Sequence, residues 1–494
     1  MAKDWLEHPP ASRHRPLLTT LAGAFTLAAC STQPAYQRPA LTTSAAWSNA
    51  APTGPAAVPV TPSNQWWTQL HDPAVDALTA AALADNPTLA EAAANIDQAR
   101  ATLAEAGAQR LPSVSATGSA SRAFSGSPLA LGGTSLGSQS STGLTENTAS
   151  IGPSLSWEID LWGRLRDTAQ AARDRLDASN ADAQEARLSL AAQIADGVLN
   201  LRACNYSESV RDQDLASRQT ELDLMQKRLS FGNVAPVDVA DAETNLASAR
   251  TDRISQEETC ARQADALATL TGRDPNQVRQ QITTNFMPIP PSMQTQLPAS
   301  VLLRHPSVVS AERETAARWS EIGVARADRL PQIDLSTLFS GNWLSAAGST
   351  VAYEAWSAGL SLSAPLFDGG AGAAKVRGAQ ASYRASVASL RLTVRTASQN
   401  VEDALAAEAS AQQRVVTSQQ AVDAGQITLR ANEARWRAGS ISLFDLEDAR
   451  RQFNSAQESA IAATRDRAQA WVDLVLATGS APAPQTNTPD HNAG

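Results

Sequence analysis

The chain contains two copies of one long unit. The segment 228–249 reappears as 435–456, a constant 207 positions later, and this shift places Gly232 on Gly439. Further segments are related by the same shift or by one of 219. Repetition on this scale is typical of a chain that builds an extended architecture from like units. We therefore divide the chain into a first repeat at 64–285, a second repeat at 286–480 and a disordered tail at 481–494.

Each repeat is predicted to contain a helix, two strands and two long helices joined by a turn. Alternation of apolar with small polar residues, as at Val114, Ala116 and Gly118, indicates the strands. The long stretches, such as 162–229, lack proline. A helix of that size spans on the order of 100 Å, so it has to pack lengthwise in a coiled-coil-like hairpin. The predicted strands cover about 113–125, 146–161, 332–343 and 351–366.

The four predicted strands are apolar on one face and rich in small polar residues on the other. This pattern fits an outer-membrane β-barrel, and it also fits a soluble hairpin with one buried face. Closing a barrel takes about eight strands or more, and an open sheet edge is not tolerated in lipid. Four strands per chain therefore predict an oligomer, and three chains would supply twelve strands.

The first 29 residues resemble a bacterial lipoprotein signal peptide. Basic residues precede a short apolar run that ends in Leu27-Ala28-Ala29-Cys30. The resemblance implies cleavage before Cys30 and a covalent diacylglycerol and N-acyl lipid on it. An ordinary secretory signal with an incidental cysteine is the alternative. Residues 30–63, rich in Pro, Ala, Ser and Thr, are predicted to form an extended lipidated tether.

Cys204 and Cys260 are the two cysteines besides Cys30. In an antiparallel hairpin of helices 162–229 and 235–272 they are equidistant from Gly232, so they would lie level with each other. An oxidising compartment favours a bond between them, although packed helix axes usually lie farther apart than disulfide Cα atoms. We interpret the pair as a structural disulfide, with two separate buried thiols as the alternative.

Composition and motifs argue against nucleic-acid binding and catalysis. The formal charge is −9 and no Lys/Arg cluster is sustained, which makes a poor nucleic-acid ligand. The sequence has no P-loop and no HExxH motif, and its one Gly-x-Ser-x-Gly match, 133–137, lies in a Gly/Ser/Thr-rich loop. His71 and His305 stand alone and are predicted to be exposed rather than metal ligands. We expect no enzyme activity, no metal site and no cofactor other than the lipid.

Three features in a fixed order resemble a known family. They are the segment Trp157–Gly163 (WEIDLWG), a Gly-x5-Asp-x2-Asp turn in each repeat, and Leu267–Gly272 (LATLTG). Over roughly 62–480 the chain is similar to the TolC-like outer-membrane efflux proteins, and within them to NodT-type lipoproteins of resistance-nodulation-division (RND) systems.

The resemblance implies both an architecture and a function. The fold would be mainly α with a membrane β-barrel: a homotrimer with a twelve-stranded barrel in the bacterial outer membrane and a periplasmic α-helical tunnel. The trimer would be lipid-anchored and would work with two partners, a periplasmic adaptor (membrane fusion) protein and an inner-membrane RND pump. It would passively conduct drugs or other small molecules out of the cell.

The helix-tip turns are predicted to form the periplasmic gate. Gly232 and Gly439 sit where a helix C-terminus favours a left-handed residue. Asp445 and Asp448 lie three apart on one helical face, and by resemblance they match the acidic constriction of the family. In three subunits they would form carboxylate rings that favour cations. The alternative is that they only stabilise a helix N-terminus, as we expect for their counterparts in the first repeat.

The second turn departs from the family where some members latch a closed tip with a tyrosine and a basic residue. The matching positions hold Trp436 and Ile441, which cannot make those ionic contacts. We predict that packing by Trp436, Ile441, Leu443 and Phe444 holds a closed mouth instead, with ordinary tip packing as the alternative.

Two other functions stay open from the sequence alone. One is an outer-membrane channel for type I protein secretion, which would share this fold. The other, less favoured, is a periplasmic coiled-coil adaptor or scaffold, because adaptors have one helical hairpin where this chain is predicted to have two.

Overall fold

The computed structural model describes residues 33–41, 44–49, 65–125, 144–282, 286–291, 298–346 and 349–479. The predicted signal peptide, Cys30, the 133–137 match and the C-terminal tail lie outside these residues. Within them, a 3₁₀ turn at Trp66–Leu70 precedes nine helices and four strands. In chain order these are α1 (Pro73–Asp85), α2 (Pro87–Ala108), β1 (Ser113–Ser125), β2 (Leu144–Ile159), α3 (Arg164–Ser230), α4 (Pro236–Thr271), α5 (Pro275–Gln281), α6 (Pro298–Leu302), α7 (Pro306–Ala327), β3 (Gln332–Ala346), β4 (Ser349–Ser363), α8 (Ala371–Arg437) and α9 (Leu443–Thr478).

The first predicted helix is two helices that meet at Asn86. A residue before proline is disfavoured in the α conformation, and Asn86 has extended backbone angles (φ −78°, ψ 128°) in front of Pro87. Its carboxamide oxygen accepts the N–H of Thr88 at 2.9 Å, and its nitrogen donates to the carbonyl of Leu270 at 2.8 Å. The asparagine therefore ends α1, caps α2 and ties both to α4.

The four strands form one antiparallel sheet in the order β1-β2-β3-β4. Hydroxyl groups line one face, where Ser115 Oγ lies 2.8 Å from Ser154 Oγ and Ser119 Oγ lies 2.9 Å from Ser150 Oγ across the β1–β2 pair. The other face carries exposed apolar side chains, among them Ile151, Trp356 and Leu360. The two-faced alternation predicted from the sequence is therefore present in the sheet.

The chain separates into two compact units. The unit with the sheet comprises residues up to 38, 98–176 and 314–387. Within it the indole Nε1 of Trp319 donates to the carbonyl of Pro34 at 2.9 Å, and the Trp319 ring lies 5.0 Å from that of Tyr383. The N-terminal stretch of this unit is thus held by an aromatic pair.

The other unit comprises residues 39–97, 177–313 and 388–494. Its main core packs the 3₁₀ turn and α1 with α3, α4 and α9, around fully buried Leu78, Leu199 and Trp471. Asp72 and Arg202 form a buried ion pair beside this core, with Arg202 Nε 2.7 Å from Asp72 Oδ2. Asp72 also accepts the N–H of Ala74 at 2.9 Å and so caps α1. One carboxylate therefore fixes the start of α1 and its attachment to α3.

Cys204 on α3 and Cys260 on α4 are joined by a disulfide, with their Cα atoms 5.5 Å apart. The two helices approach this closely beside the small, buried side chain of Ala203. The bond links the two helices of the first hairpin within the main core.

Part of the predicted tether is docked on the second unit. Trp47 is buried in an apolar cluster with Leu302 and Leu390. The backbone N–H groups of Ser48 and Asn49 both donate to the carboxylate of Glu402, at 2.7 and 2.9 Å. Residues 47–49 are therefore held by specific contacts rather than free in solvent.

The prediction that His305 is exposed is wrong, because its side chain is buried. Its Nδ1 lies 2.7 Å from Ser307 Oγ, and its Nε2 lies 3.3 Å from the carbonyl of Leu476 near the end of α9. His305 is a packed, hydrogen-bonded side chain at a helix end.

None of the helices in the described part of the chain is both long enough and apolar enough to cross a lipid bilayer.

Candidate channel mouth

The two helix-tip turns have the same backbone structure. Gly232 ends α3 with φ +72° and Gly439 ends α8 with φ +75°. In each turn the residue after the glycine donates its N–H to the carbonyl five residues earlier, at 2.9 Å in both cases. This is a Schellman motif, and its left-handed position explains why the repeat retains glycine at both places. Both glycines therefore lie at the turns predicted for them.

Asp445 caps helix α9 together with Ser442. The Asp445 N–H donates to Ser442 Oγ at 3.2 Å, and the Asp445 carboxylate accepts from the hydroxyl and the N–H of Ser442, at 2.7 and 3.1 Å. The hydrogen bond from the Ser442 hydroxyl is the main reason that the pKa of the Asp445 carboxyl lies below its ordinary value, and the bond from the Ser442 N–H is the second. In the first repeat, Ala235 has no hydroxyl, and Asp238 accepts only its N–H, at 2.8 Å. The N-terminal stabilising role that the sequence left as an alternative is thus structurally present at Asp445.

Asp448 lies one turn farther along α9 and is half-exposed. Its carboxylate accepts from Arg451 Nη2 at 3.0 Å and from Gln452 Nε2 at 2.7 Å. Its charge is thus partly offset by a neighbour on its own helix. Asp445 and Asp448 together give the first two turns of α9 an accessible acidic stripe.

Three of the four predicted packing residues come together, and the fourth does not. Trp436 is 7% exposed in an apolar cluster with Leu446, and Ile441 and Leu443 pack against this cluster half-buried. The guanidinium carbon of Arg228 on α3 lies 4.9 Å from the centre of the Trp436 ring. Phe444 is 71% exposed. The apolar contact at the tips therefore rests on Trp436 and not on Phe444.

A buried ionic cluster between α3 and α9 was not predicted from the sequence. It consists of Arg218 and Glu221 on α3 and Glu447 and Arg450 on α9. Arg450 Nη1 lies 2.6 Å from Glu221 Oε2 and also contacts Glu447, while Arg218 Nη1 lies 2.5 Å from Glu447 Oε2. The available signal was the complementary order of the charges, Arg-x-x-Glu on α3 and Glu-x-x-Arg on α9.

The cluster contains more negative than positive charge. Asp214 on α3 adds a third carboxylate, 2.8 Å from Arg218 Nε. Burial raises the pKa of Glu221 to about 6, against the lowering effect of its bond to Arg450. The chain thus keeps its two hairpins in contact through charged groups that are largely removed from water.

Within the described residues, no group of three or more His, Cys, Asp or Glu side chains is arranged to hold a metal ion.

Comparison with known proteins places this chain in one family. The model of the family described as "Outer membrane efflux protein" matches residues 78–273 and 297–480. The two matched segments correspond to the two repeats.

Individual relatives are similar to this chain over most of their length. The chain is 28% identical to the "Probable efflux pump outer membrane protein TtgC" of Pseudomonas putida, over 97% of this chain and 98% of the relative. It is 28% identical to "Nodulation protein T" of Rhizobium leguminosarum bv. viciae, over 86% of each chain. The solved outer-membrane channel OprN superposes with a TM-score of 0.80 at 26% identity, covering 91% of this chain and 99% of that one.

The chain therefore belongs to the outer membrane efflux protein family, in its NodT-type, TolC-like branch. It is an outer-membrane channel of an efflux system that extends into the periplasm, and the family is one of efflux channels rather than enzymes. The family predicted from the sequence is confirmed, as is the TolC-like fold with its long helices and one four-stranded sheet.

Proposed function

We propose that three copies of this chain form the exit duct of a tripartite pump. The four-stranded sheet carries this proposal: within the described residues, the outer edges of β1 and β4 pair with no further strand. An unpaired edge in lipid is costly, and pairing β4 of one copy with β1 of the next removes it. Three copies then close a twelve-stranded barrel. The detergent-solubilised protein should have the mass of three chains, and a stable monomer would contradict the proposal.

The proposed partners are a periplasmic adaptor and an inner-membrane RND pump, and the proposed cargo is drugs or other small organic molecules. Support comes from relatives whose names describe efflux of antibiotics and toluene and export of pyoverdine. Deleting the gene should raise sensitivity to several toxic compounds, and the intact gene should restore resistance. Loss of a secreted protein with unchanged sensitivity would instead favour type I secretion.

The proposed lipid anchor is on Cys30. Support comes from the Leu-Ala-Ala-Cys sequence at the end of the apolar run. Cells fed radiolabelled palmitate should label the wild-type chain and not Cys30→Ser. Equal labelling of the two proteins would remove Cys30 as the anchor.

The proposed gate is the mouth formed by the second helix tip, with Asp445 and Asp448 as acidic rings and Trp436, Ile441 and Leu443 as its apolar support. The accessible acidic stripe on α9 supports this role. In planar bilayers, the double variant Asp445→Asn, Asp448→Asn should shift the reversal potential in a salt gradient towards lower cation preference. An unchanged reversal potential would leave the two aspartates with helix stabilisation only.

A further inference from the structure

We propose that Arg450 is a positioning residue of the mouth: it locks the first turns of α9 against α3 and thereby fixes the direction in which Asp445 and Asp448 point. The inference rests on the proposed gate role of the two aspartates and adds the element that holds them in place.

The geometry of α9 links the two pairs of residues. Asp445 and Asp448 are three positions apart and accessible, whereas Glu447 and Arg450 are three positions apart and buried. The second pair is displaced from the first by two residues, which is about 200° around a helix of 3.6 residues per turn. The buried pair and the acidic pair therefore occupy opposite sides of the same two turns. Whatever fixes the rotation of one pair fixes the other.

The contacts of the buried pair are of a kind that fixes rotation and register. The side chains of Arg450, Glu221 and Glu447 are each 4% exposed. Each helix supplies both an arginine and a glutamate to the contact: Arg450 of α9 pairs with Glu221, and Arg218 of α3 pairs with Glu447. Sliding or rotating α9 would separate buried charges from their partners, and an unpaired buried charge costs several kcal/mol. Apolar side chains at the tips impose a weaker restraint, because they exchange one contact for another at little cost.

The duplicated unit offers an internal comparison. The positions of α4 that correspond to Glu447 and Arg450 are Ala240 and Glu243, and both are exposed. The positions of α8 that correspond to Arg218 and Glu221 are Gly425 and Thr428. The first repeat thus has no ionic cluster of this kind behind its own aspartates. The cluster, which joins α3 of the first repeat to α9 of the second, lies behind the aspartates whose acidic stripe we assign to the gate.

The test uses the full-length trimer in planar bilayers, with resting conductance and reversal potential as readouts. Arg450→Met should raise resting conductance by at least about threefold and lower cation preference, because a restraint on the closed arrangement is lost. Arg450→Lys keeps the charge but loses the planar guanidinium, so it should give values between those of wild type and Arg450→Met. The matched control is Arg253→Met, which removes a network of the same bundle that joins α3 to α4 through Glu208 and Asp212. It should lower thermal stability without changing the reversal potential.

The outcomes separate this inference from the proposed gate. If the double aspartate variant shifts the reversal potential and Arg450→Met does not, Arg450 has no positioning role while the gate stands. If the double aspartate variant itself has no effect, the acidic-ring proposal fails first. Should Arg450→Met not assemble, the isosteric Glu221→Gln replaces it. That variant should change both readouts in the same direction by a smaller factor, and wild-type values would overturn the inference.

Discussion

Arg450 Nη1 lies 2.6 Å from Glu221 Oε2 across the contact between α9 and α3, and neither side chain is more than 4% exposed. The pair has two consequences, because burial affects the protonation of the carboxylate as well as the fit of the helices.

Stability should depend on pH through Glu221. Burial raises its pKa from an ordinary value of 4.5 to about 6 in the folded chain. Between these two values the folded chain binds more protons than the unfolded chain, so stability rises as pH falls through this window and is lost as pH rises through the folded pKa. The melting temperature of wild type should therefore increase from about pH 7 to about pH 5. Glu221→Gln should show a smaller increase. Other acids, such as Asp196, whose pKa burial raises to about 7, titrate in both proteins and do not contribute to the difference between them. Parallel curves would contradict the assignment to Glu221.

The disulfide should contribute strongly to the first hairpin. Cys204 and Cys260 are 56 positions apart, and closing a loop of this size stabilises a fold by about 2–4 kcal/mol. The double variant Cys204→Ala, Cys260→Ala should lose this amount in denaturant unfolding. A reducing agent should destabilise wild type and leave the double variant unchanged. Equal sensitivity of both proteins to the reductant would show that the bond is not the cause.

Arg202 should be much more sensitive to substitution than an exposed arginine. Arg202→Met leaves Asp72 buried without its charge partner, which should cost about 3–5 kcal/mol of unfolding free energy. The control is Arg262→Met, which removes an exposed pair with Glu258 on the surface of α4 and should cost about 0.5 kcal/mol or less. A double variant, Asp72→Ala with Arg202→Met, should be less destabilised than the sum of its parts. Additive losses would mean that the two side chains act independently.

Substitution by alanine should lower the unfolding free energy at a turn glycine and raise it at a glycine inside a helix. At Gly439 the left-handed backbone makes alanine cost about 1–2 kcal/mol, although no atom lies within 4 Å of the added methyl group. At Gly378, inside α8, the added methyl group also meets nothing within 4 Å, and alanine should stabilise by about 0.5–1 kcal/mol. Unfolding of the two variants under identical conditions tests the difference. A stabilising Gly439→Ala would show that the turn can change conformation.

Trp436 should contribute more to a closed mouth than Phe444. Trp436→Ala removes a buried ring and its contact with Arg228. Resting conductance in bilayers should therefore rise several-fold, as expected when one contact that stabilises the closed mouth is lost. Phe444→Ala removes an exposed ring and should leave resting conductance near wild type. An unchanged conductance in Trp436→Ala would remove the packing role.

The features that the sequence predicts correctly are those that depend on local backbone conformation or on residue spacing within one hairpin. Glycine at the turns and the alternation in the strands each act within a few residues, so the order of the strands and long helices in each repeat follows from the sequence. The level placement of Cys204 and Cys260 followed from counting along one hairpin. Among the local features, the break at Asn86 is missed although Pro87 signals it. The short helices α5 and α6, which begin at Pro275 and Pro298, are missed as well.

The partners of side chains that meet across helices were not predictable. Helices α3 and α9 are rich in alanine and polar residues, so apolar periodicity does not define which side faces which neighbour. The pairing of Glu221 with Arg450 depends on that rotation, as does the burial of His305 against the end of α9. Trp47 falls in the predicted tether because residues 30–63 are rich in Pro, Ala, Ser and Thr, whereas its ring is buried against segments that follow much later in the chain.

The ionic cluster also bears on how a duplicated chain avoids mispairing during folding. Two hairpins of one duplicated unit in the same polypeptide offer several wrong helix–helix combinations. An arrangement with α8 in the place of α3 would bring Gly425 and Thr428 to the buried Glu447 and Arg450, and these two residues supply no compensating charge. The buried charges therefore favour α3 over its duplicated counterpart α8 at this place, so that the two copies of the helix take different positions in the fold.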